Sequence, residues 1–315
     1  MGQMMNHLPK SRAVRTTAAV ILILVGLAPV LAVAETPPVC QYCGKPITGQ
    51  YVVYDGKAYH QACYENNVAM RCSLCGSIIE GEYYLDPWGK PYHKEHADEI
   101  PMCRFCGRLI SDPDAGGGRK FDDQYYICNH CQQDVVNDTE EAERLVAEIH
   151  GHLKDLGIDL GKTKVEFELV DRGELSKKTG KVDVDNFGLA RQRTREYLLS
   201  FLNDEDYAIF VLTGLPRMYF ISTATHELMH IWLYLHGAED MEQQMVEGSC
   251  DVAGILVLEE YYDDVMIPLV TSQLLQSPDP IYGEGCRRVK RMVDNRGIEY
   301  WLEHLQFDPQ FPIGY

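Results

Sequence analysis

The chain has 315 residues, 45% hydrophobic and 24% charged, which supports one large packed domain or two smaller ones and argues against disorder. It carries 29 Lys+Arg against 47 Asp+Glu, a net charge of −18. Such a surface repels phosphate backbones, so nucleic acid is excluded as an expected partner.

Lys10, Arg12 and Arg15, with no acid, precede an apolar run from Ala18 to Ala34 that ends Ala32-Val33-Ala34. A basic end, an apolar middle and small residues at the end read as a secretory signal over 1–34, cleaved after Ala34. The alternative is an uncleaved anchor, the one route by which a membrane would enter. Pro29 and a run of 17 residues fall short of the roughly 20 that a spanning helix needs. The expectation is an exported protein, periplasmic or secreted, as in a bacterial envelope.

Nine of the eleven cysteines fall in a repeat between Cys40 and Cys131. Each of its three units opens C-x-x-C-G and closes with two metal-capable residues, again separated by two. Ligands so spaced share one tight knuckle, and two knuckles complete the tetrahedron of a zinc ion. The expected structural sites are Cys40, Cys43, His60 and Cys63; Cys72, Cys75, His93 and His96; and Cys103, Cys106, Cys128 and Cys131. His130, inside the last knuckle, is a weaker competitor. A disulfide ladder would have no use for the histidines. The segments QYVVYDGKAYH and EYYLDPWGKPYH have the alternation and turns of hairpins. Nine Lys+Arg against twelve Asp+Glu in 40–131 leave no basic stripe for DNA. The pattern resembles LIM modules, which implies protein docking. It departs from their usual spacing, with eight residues between Cys63 and Cys72 and six between His96 and Cys103.

Beyond Cys131 the composition changes, and the domain boundary is expected near 132–138. Leu145, Ile149, Leu153 and Leu156 recur at helical intervals after a capping Thr139. Strands are expected near 164–170 and 207–214. A helix should end at Gly237, a second run from about Asp240 to Tyr262, and a third from about Gly283 to Leu305. The fold class is therefore α+β: a zinc-knuckle, LIM-like array over 35–135, then a zincin-like metallopeptidase domain over 136–315.

His226-Glu227-Leu228-Met229-His230 is an HExxH motif. Four residues apart on a helix, both imidazoles reach one ion, and Glu227 stands where it can take a proton from a bound water. Glu247 follows in MVEGSCDVAG as the expected third ligand of a catalytic zinc. Asp251, one turn on, is expected to orient a ligand histidine. The bland reading of both is solvated helix acid, but Val246, Val252 and Ile255 beside them indicate burial. HExxH followed by a glutamate on the next helix resembles the gluzincin clan. With AIFVLTGLPRMYFISTATHELMHIWLYLHG, QQMVEGSCDV and the LIM-like units, the chain resembles the DA-one-like peptidases. That resemblance implies peptidase activity on protein substrates, with His226, Glu227, His230 and Glu247 matching the motif. The ubiquitin-interacting segments of the plant proteins have no counterpart here, and those proteins are intracellular.

Strand 207–212 is expected to pair with an extended substrate. Tyr219, Tyr261, Tyr262, Tyr282 and His304 are candidates for stabilising an oxyanion. Cys250 reads as a small buried hydrophobe, with pairing to Cys286 the alternative. Ile231, Trp232 and Leu235 read as the core face of the active helix. The cofactor expected is zinc, one catalytic and about three structural. Two other functions compete: a non-catalytic LIM-type interaction scaffold, which has no need of Glu227, and a thiol redox protein, which has no need of His60, His93 and His96.

Overall fold

The computed structural model describes residues 14–15, 37–111, 116–121, 125–181, 183, 185–195, 204–237, 241–308, 310–312 and 314. Apart from Val14 and Arg15 (β1), the expected signal segment lies outside the described residues. No helix among the described residues is long and apolar enough to cross a membrane.

The chain divides into two compact units, one of 11–102 and 108–117, the other of 1–10, 103–107 and 118–315. The division falls elsewhere than the expected boundary near 132–138. Cys103–Gly107 and the chain from Gly118 cluster with the C-terminal unit, so the third cysteine site lies within it.

The first unit is built of knuckles and hairpins. β2 (Val52–Tyr54) and β3 (Lys57–Tyr59) pair antiparallel. Asp55 and Gly56 between them have φ of 50° and 71°, the left-handed pair of a tight hairpin turn. α1 (Gln61–Asn67) follows. β4 (Glu82–Leu85) pairs with β5 (Pro91–His93) and with β1, and α2 (Lys94–Glu99) follows. The cores are small: Cys40, Ile47 and Tyr59 in one, Cys72, Ile79, Tyr83, Tyr92 and Leu109 in the other.

The second unit opens with hairpin β6 (Gly118–Lys120) and β7 (Tyr126–Cys128), then α3 (Asn129–Gln132) and β8 (Val135–Val136). α4 (Thr139–Asp155) buries Ala142, Leu145, Ile149 and Leu153. Its cap is Asp138 rather than Thr139: the aspartate side chain accepts from Glu141 N at 2.8 Å, and Thr139 is already in the first turn. β9 (Val165–Val170), α5 (Arg172–Thr179), β10 (Gly188–Arg195) and β11 (Asp204–Leu212) complete a mixed sheet of order β10-β11-β9. β11 is thus central, hydrogen-bonded to β10 on one side and β9 on the other. It has no free edge for a substrate, contrary to the expectation for 207–212.

β12 (Leu215–Pro216) pairs with β8 and leads into α6 (Arg217–Leu235). α7 (Gln243–Tyr261), α8 (Ile267–Gln276), α9 (Tyr282–Arg296) and α10 (Ile298–Phe307) follow. The third expected helix is broken in two at Gly297, whose φ of 89° no helix allows. α7 and α9 meet at Gly248 and Gly285: a Cβ on Gly248 would stand 2.3 Å from Gly285 C. This backbone contact leaves no room for a methyl group and seats α7 against its neighbours.

Candidate functional site

α6 is apolar on most faces and buries Ile231 and Trp232; Leu235 is half-buried. Its His226 and His230 project one turn apart, with Nε2 atoms 3.1 Å from each other. From α7, Glu247 Oε2 approaches those atoms to 3.3 and 3.5 Å. Ligands about 2.0–2.1 Å from a tetrahedral zinc stand about 3.4 Å apart, so the three atoms have the spacing of one face of such a site. His226 Nδ1 donates to Asp251 Oδ1 at 2.9 Å, which leaves the Nε2 lone pair facing Glu247. Among the described residues Glu247 Oε2 is buried without a hydrogen-bond partner. Three acceptors that converge in this way suit a shared cation, and the donor set fits zinc.

The charges of the pocket agree. Burial alone would lower the His226 pKa, but Asp251 and Glu247 outweigh it and hold it well above the ordinary value. Burial alone would raise Glu247, yet His226 and His230 hold it well below the usual carboxylate range. Burial raises Asp251 and Glu227.

Glu227 is 7% exposed and lines the same cleft as His226, His230 and Glu247. Its carboxylate accepts the Ala190 N–H of β10. Gly188, two residues earlier, is a fitted position: a Cβ there would lie 2.5 Å from Glu227 Oε1 and 2.8 Å from Thr223 Cγ2. Phe187, Gly188, Leu189 and Ala190 form a wall of the cleft. Sequence reasoning missed this segment, because GLARQRTR shows no apolar alternation; its strand character lies in the pairing with β11.

Of the five oxyanion candidates only Tyr282 lines the cleft, its ring facing His226 at 6.4 Å. Tyr219 is turned to Phe105 O and Gln273. Tyr261 stacks on His152, Tyr262 donates to Glu148, and His304 meets Gln310 O. Tyr234 also lines the cleft, four residues after His230 and facing it at 6.3 Å; that spacing could have flagged it. Cys250 and Cys286 are both fully buried free thiols, pushed up by burial. Cys250 Sγ lies within 4.8 Å of the His226 and His230 ligand atoms.

The three knuckle sites converge as spaced. In each, four ligand atoms lie within 4.8 Å of one another. Cys43 Sγ is 3.4 Å from His60 Nδ1, Cys72 Sγ 3.3 Å from His96 Nδ1, and Cys75 Sγ 3.5 Å from His93 Nδ1. Cys106 Sγ and Cys128 Sγ are 3.6 Å apart, too far for a disulfide and close to a zinc tetrahedron's edge. His93 Nε2 lies 3.2 Å from Ile78 O, which places its proton there and frees Nδ1 for a metal. Gly44, Gly76 and Gly107 share φ of 71–72°, and each N–H returns to the carbonyl of its first cysteine. His130 is exposed and outside the cluster. These clusters fit zinc-binding LIM-like modules.

Residues 201–266 match the DA1-like family, described as Protein DA1. The chain is 24% identical to Protein DA1 of Arabidopsis thaliana over 337 residues, 87% of this chain and 63% of that protein. It is 24% identical to the LIM domain-containing protein HDR3 of Oryza sativa subsp. japonica, over 87% of this chain and 68% of that protein. Paxillin-B of Dictyostelium discoideum is 34% identical over 94 residues, 30% of this chain and 15% of that protein. The chain therefore spans less than two thirds of the length of Protein DA1. No solved structure matches it.

Proposed function

We propose that the C-terminal unit is a zinc-dependent peptidase of gluzincin type. The observation that carries the reading is the convergence of His226, His230 and Glu247 to 3.1–3.5 Å beside a carboxylate, Glu227, in an open cleft. Zinc held by His226, His230 and Glu247 would supply a Lewis acid for the substrate carbonyl and would make the attacking water more acidic. Glu227 takes the proton of the attacking water and returns it to the leaving nitrogen. Asp251 holds His226 in the tautomer that presents Nε2. Tyr282, which lines the cleft, is our candidate for stabilising the developing oxyanion. The substrate is a peptide segment of a protein, and we propose export on the basic end and apolar run of residues 10–34.

A second reading, a LIM-type interaction role for the N-terminal modules, is favoured by the likeness to LIM-named HDR3 and to paxillin-B. It is compatible with the first as a docking function and competes with it only if the cleft is inert. Glu227→Gln separates them. The variant should keep its full zinc content and lose peptide cleavage; cleavage at the parent rate removes the peptidase reading and leaves docking.

A further inference from the structure

The stretch between Cys103 and Cys106 reaches into the catalytic unit. Phe105 is fully buried, its ring edge-on to Phe121 at 5.0 Å and tilted steeply against Tyr219 at 4.9 Å. The Tyr219 hydroxyl lies 2.6 Å from both Phe105 O and Gln273 Oε1, one proton serving two acceptors, and Gln273 Nε2 donates to Phe105 O at 3.2 Å. Arg104 stands 3.7 Å from Asp185 Oδ1 and over the rings of Tyr125 and Phe187. Asp185 also accepts the Tyr125 hydroxyl. Asp185 to Phe187 lead directly into β10, and Tyr219 stands two turns before His226 on α6. The knuckle thus braces both elements that carry Glu227 and its wall.

A side pocket opens beside the cleft. Arg104 lines it with Phe187, Tyr219, Val270 and Leu274, and it shares Thr223 and Asp251 with the zinc-facing cleft. The Tyr219 hydroxyl and Asp251 carboxylate are engaged elsewhere, so the walls offer mainly apolar faces. The Arg104 guanidinium already lies over the Tyr125 and Phe187 rings at 5.1 and 5.6 Å, so it extends an aromatic wall against which a further ring can pack.

We propose that the third zinc knuckle is part of the peptide-binding cleft: Arg104 and Phe105 hold the wall of a subsite that takes a large apolar, preferably aromatic, side chain of the substrate. The proposal rests on the peptidase reading of the cleft. Arg104 and Phe105 are positioning residues, and the four thiols Cys103, Cys106, Cys128 and Cys131, which fit zinc, fix the turn that carries them.

The test uses the full chain carrying Glu227→Gln, so that peptide binds without being cut. The probes are two fluorescein-labelled ten-residue Ser/Ala peptides, one with a single central Phe and the other with Ala in its place, read by anisotropy. The Phe peptide should bind roughly tenfold or more tighter, the scale set by filling an apolar pocket. Adding Cys106→Ser should release one zinc while the others remain, and bring the two affinities together. Arg104→Met, which leaves every thiol in place, should reduce the Phe preference at least threefold and serves if Cys106→Ser fails to fold. Equal binding of the two peptides by the parent, no binding of either, or an unchanged preference in Arg104→Met overturns the proposal. The chain with Glu227 intact is assayed on the Phe peptide in parallel. Preference without cleavage sinks the hydrolase and leaves the subsite; cleavage without preference does the reverse.

Discussion

Asp251 Oδ1 accepts a hydrogen bond from His226 Nδ1 at 2.9 Å, across the seam between α6 and α7. The contact fixes the imidazole's tautomer and its direction, and Asp251 itself is 2% exposed. Asp251→Ala should lower zinc affinity at the His226–His230–Glu247 site by about 10–100-fold, the usual effect of losing such a partner. Asp251→Asn, which can still accept from Nδ1, should fall between. Competition with a chelating dye measures both, and unchanged affinity in the alanine variant would remove the orienting role.

Gly188→Ala inserts a methyl group where Glu227 Oε1 already stands, 2.5 Å from the built Cβ. The carboxylate end is flexible and gives way before the strand does. We expect kcat to fall by about a hundredfold, as a misplacement near 1 Å does, with zinc content retained and the thermal midpoint lowered by the 2.8 Å contacts with Glu227 Cγ and Thr223 Cγ2. A fall in KM alone, or no kinetic effect, would contradict this account of Glu227.

Burial raises the Glu227 carboxyl above its ordinary 4.5, against the pull of His226 and His230. A base works only when ionised, so activity is present above the raised pKa and lost as pH falls through it. In the zinc-free protein this titration should therefore lie above 4.5, and the charge of bound zinc should draw it down, so the acid limb of kcat/KM lies below the titration of Glu227 in the zinc-free protein. Adding Gly188→Ala, which shifts the group relative to the cleft wall and the Ala190 N–H, should move that limb. A limb that does not move in Gly188→Ala would assign it to another group.

The motif on α6 was legible because its logic is local: two imidazoles four residues apart must share a helix face. Glu247 and Asp251 could be read because they repeat that spacing on an apolar helix. The knuckles were legible for the same reason. What lay hidden was non-local. β10 carries Arg191, Gln192 and Arg193, and nothing in its composition announces a strand against β11. Nor does Arg104, two residues from Cys106, advertise its place beside Phe187. Helix α8 had no counterpart among the expected elements, being ten residues long with no side-chain cap, and the expected third helix ran through Gly297.

The contact of Gly248 with Gly285 leaves no slack. A methyl group on Gly248 would stand 2.3–2.8 Å from backbone atoms of Gly285 and Cys286, and backbone cannot rotate aside as a side-chain end can. Gly248→Ala should force α9 away from α7 at a cost of about 1–3 kcal/mol. Glu247 precedes the contact by one residue, so the same displacement shifts a ligand. We expect a lower thermal midpoint together with weaker zinc binding, and partial recovery of the midpoint when zinc is in excess, since a ligand of the native state stabilises it by mass action. Gly254→Ala is the control: its Cβ would meet Ser222 at 3.1–3.7 Å, a contact that shifts of a few tenths of an ångström relieve, seven residues beyond Glu247. Its zinc affinity should match the parent. Equal effects of the two substitutions on zinc binding would separate the glycine contact from the placement of Glu247.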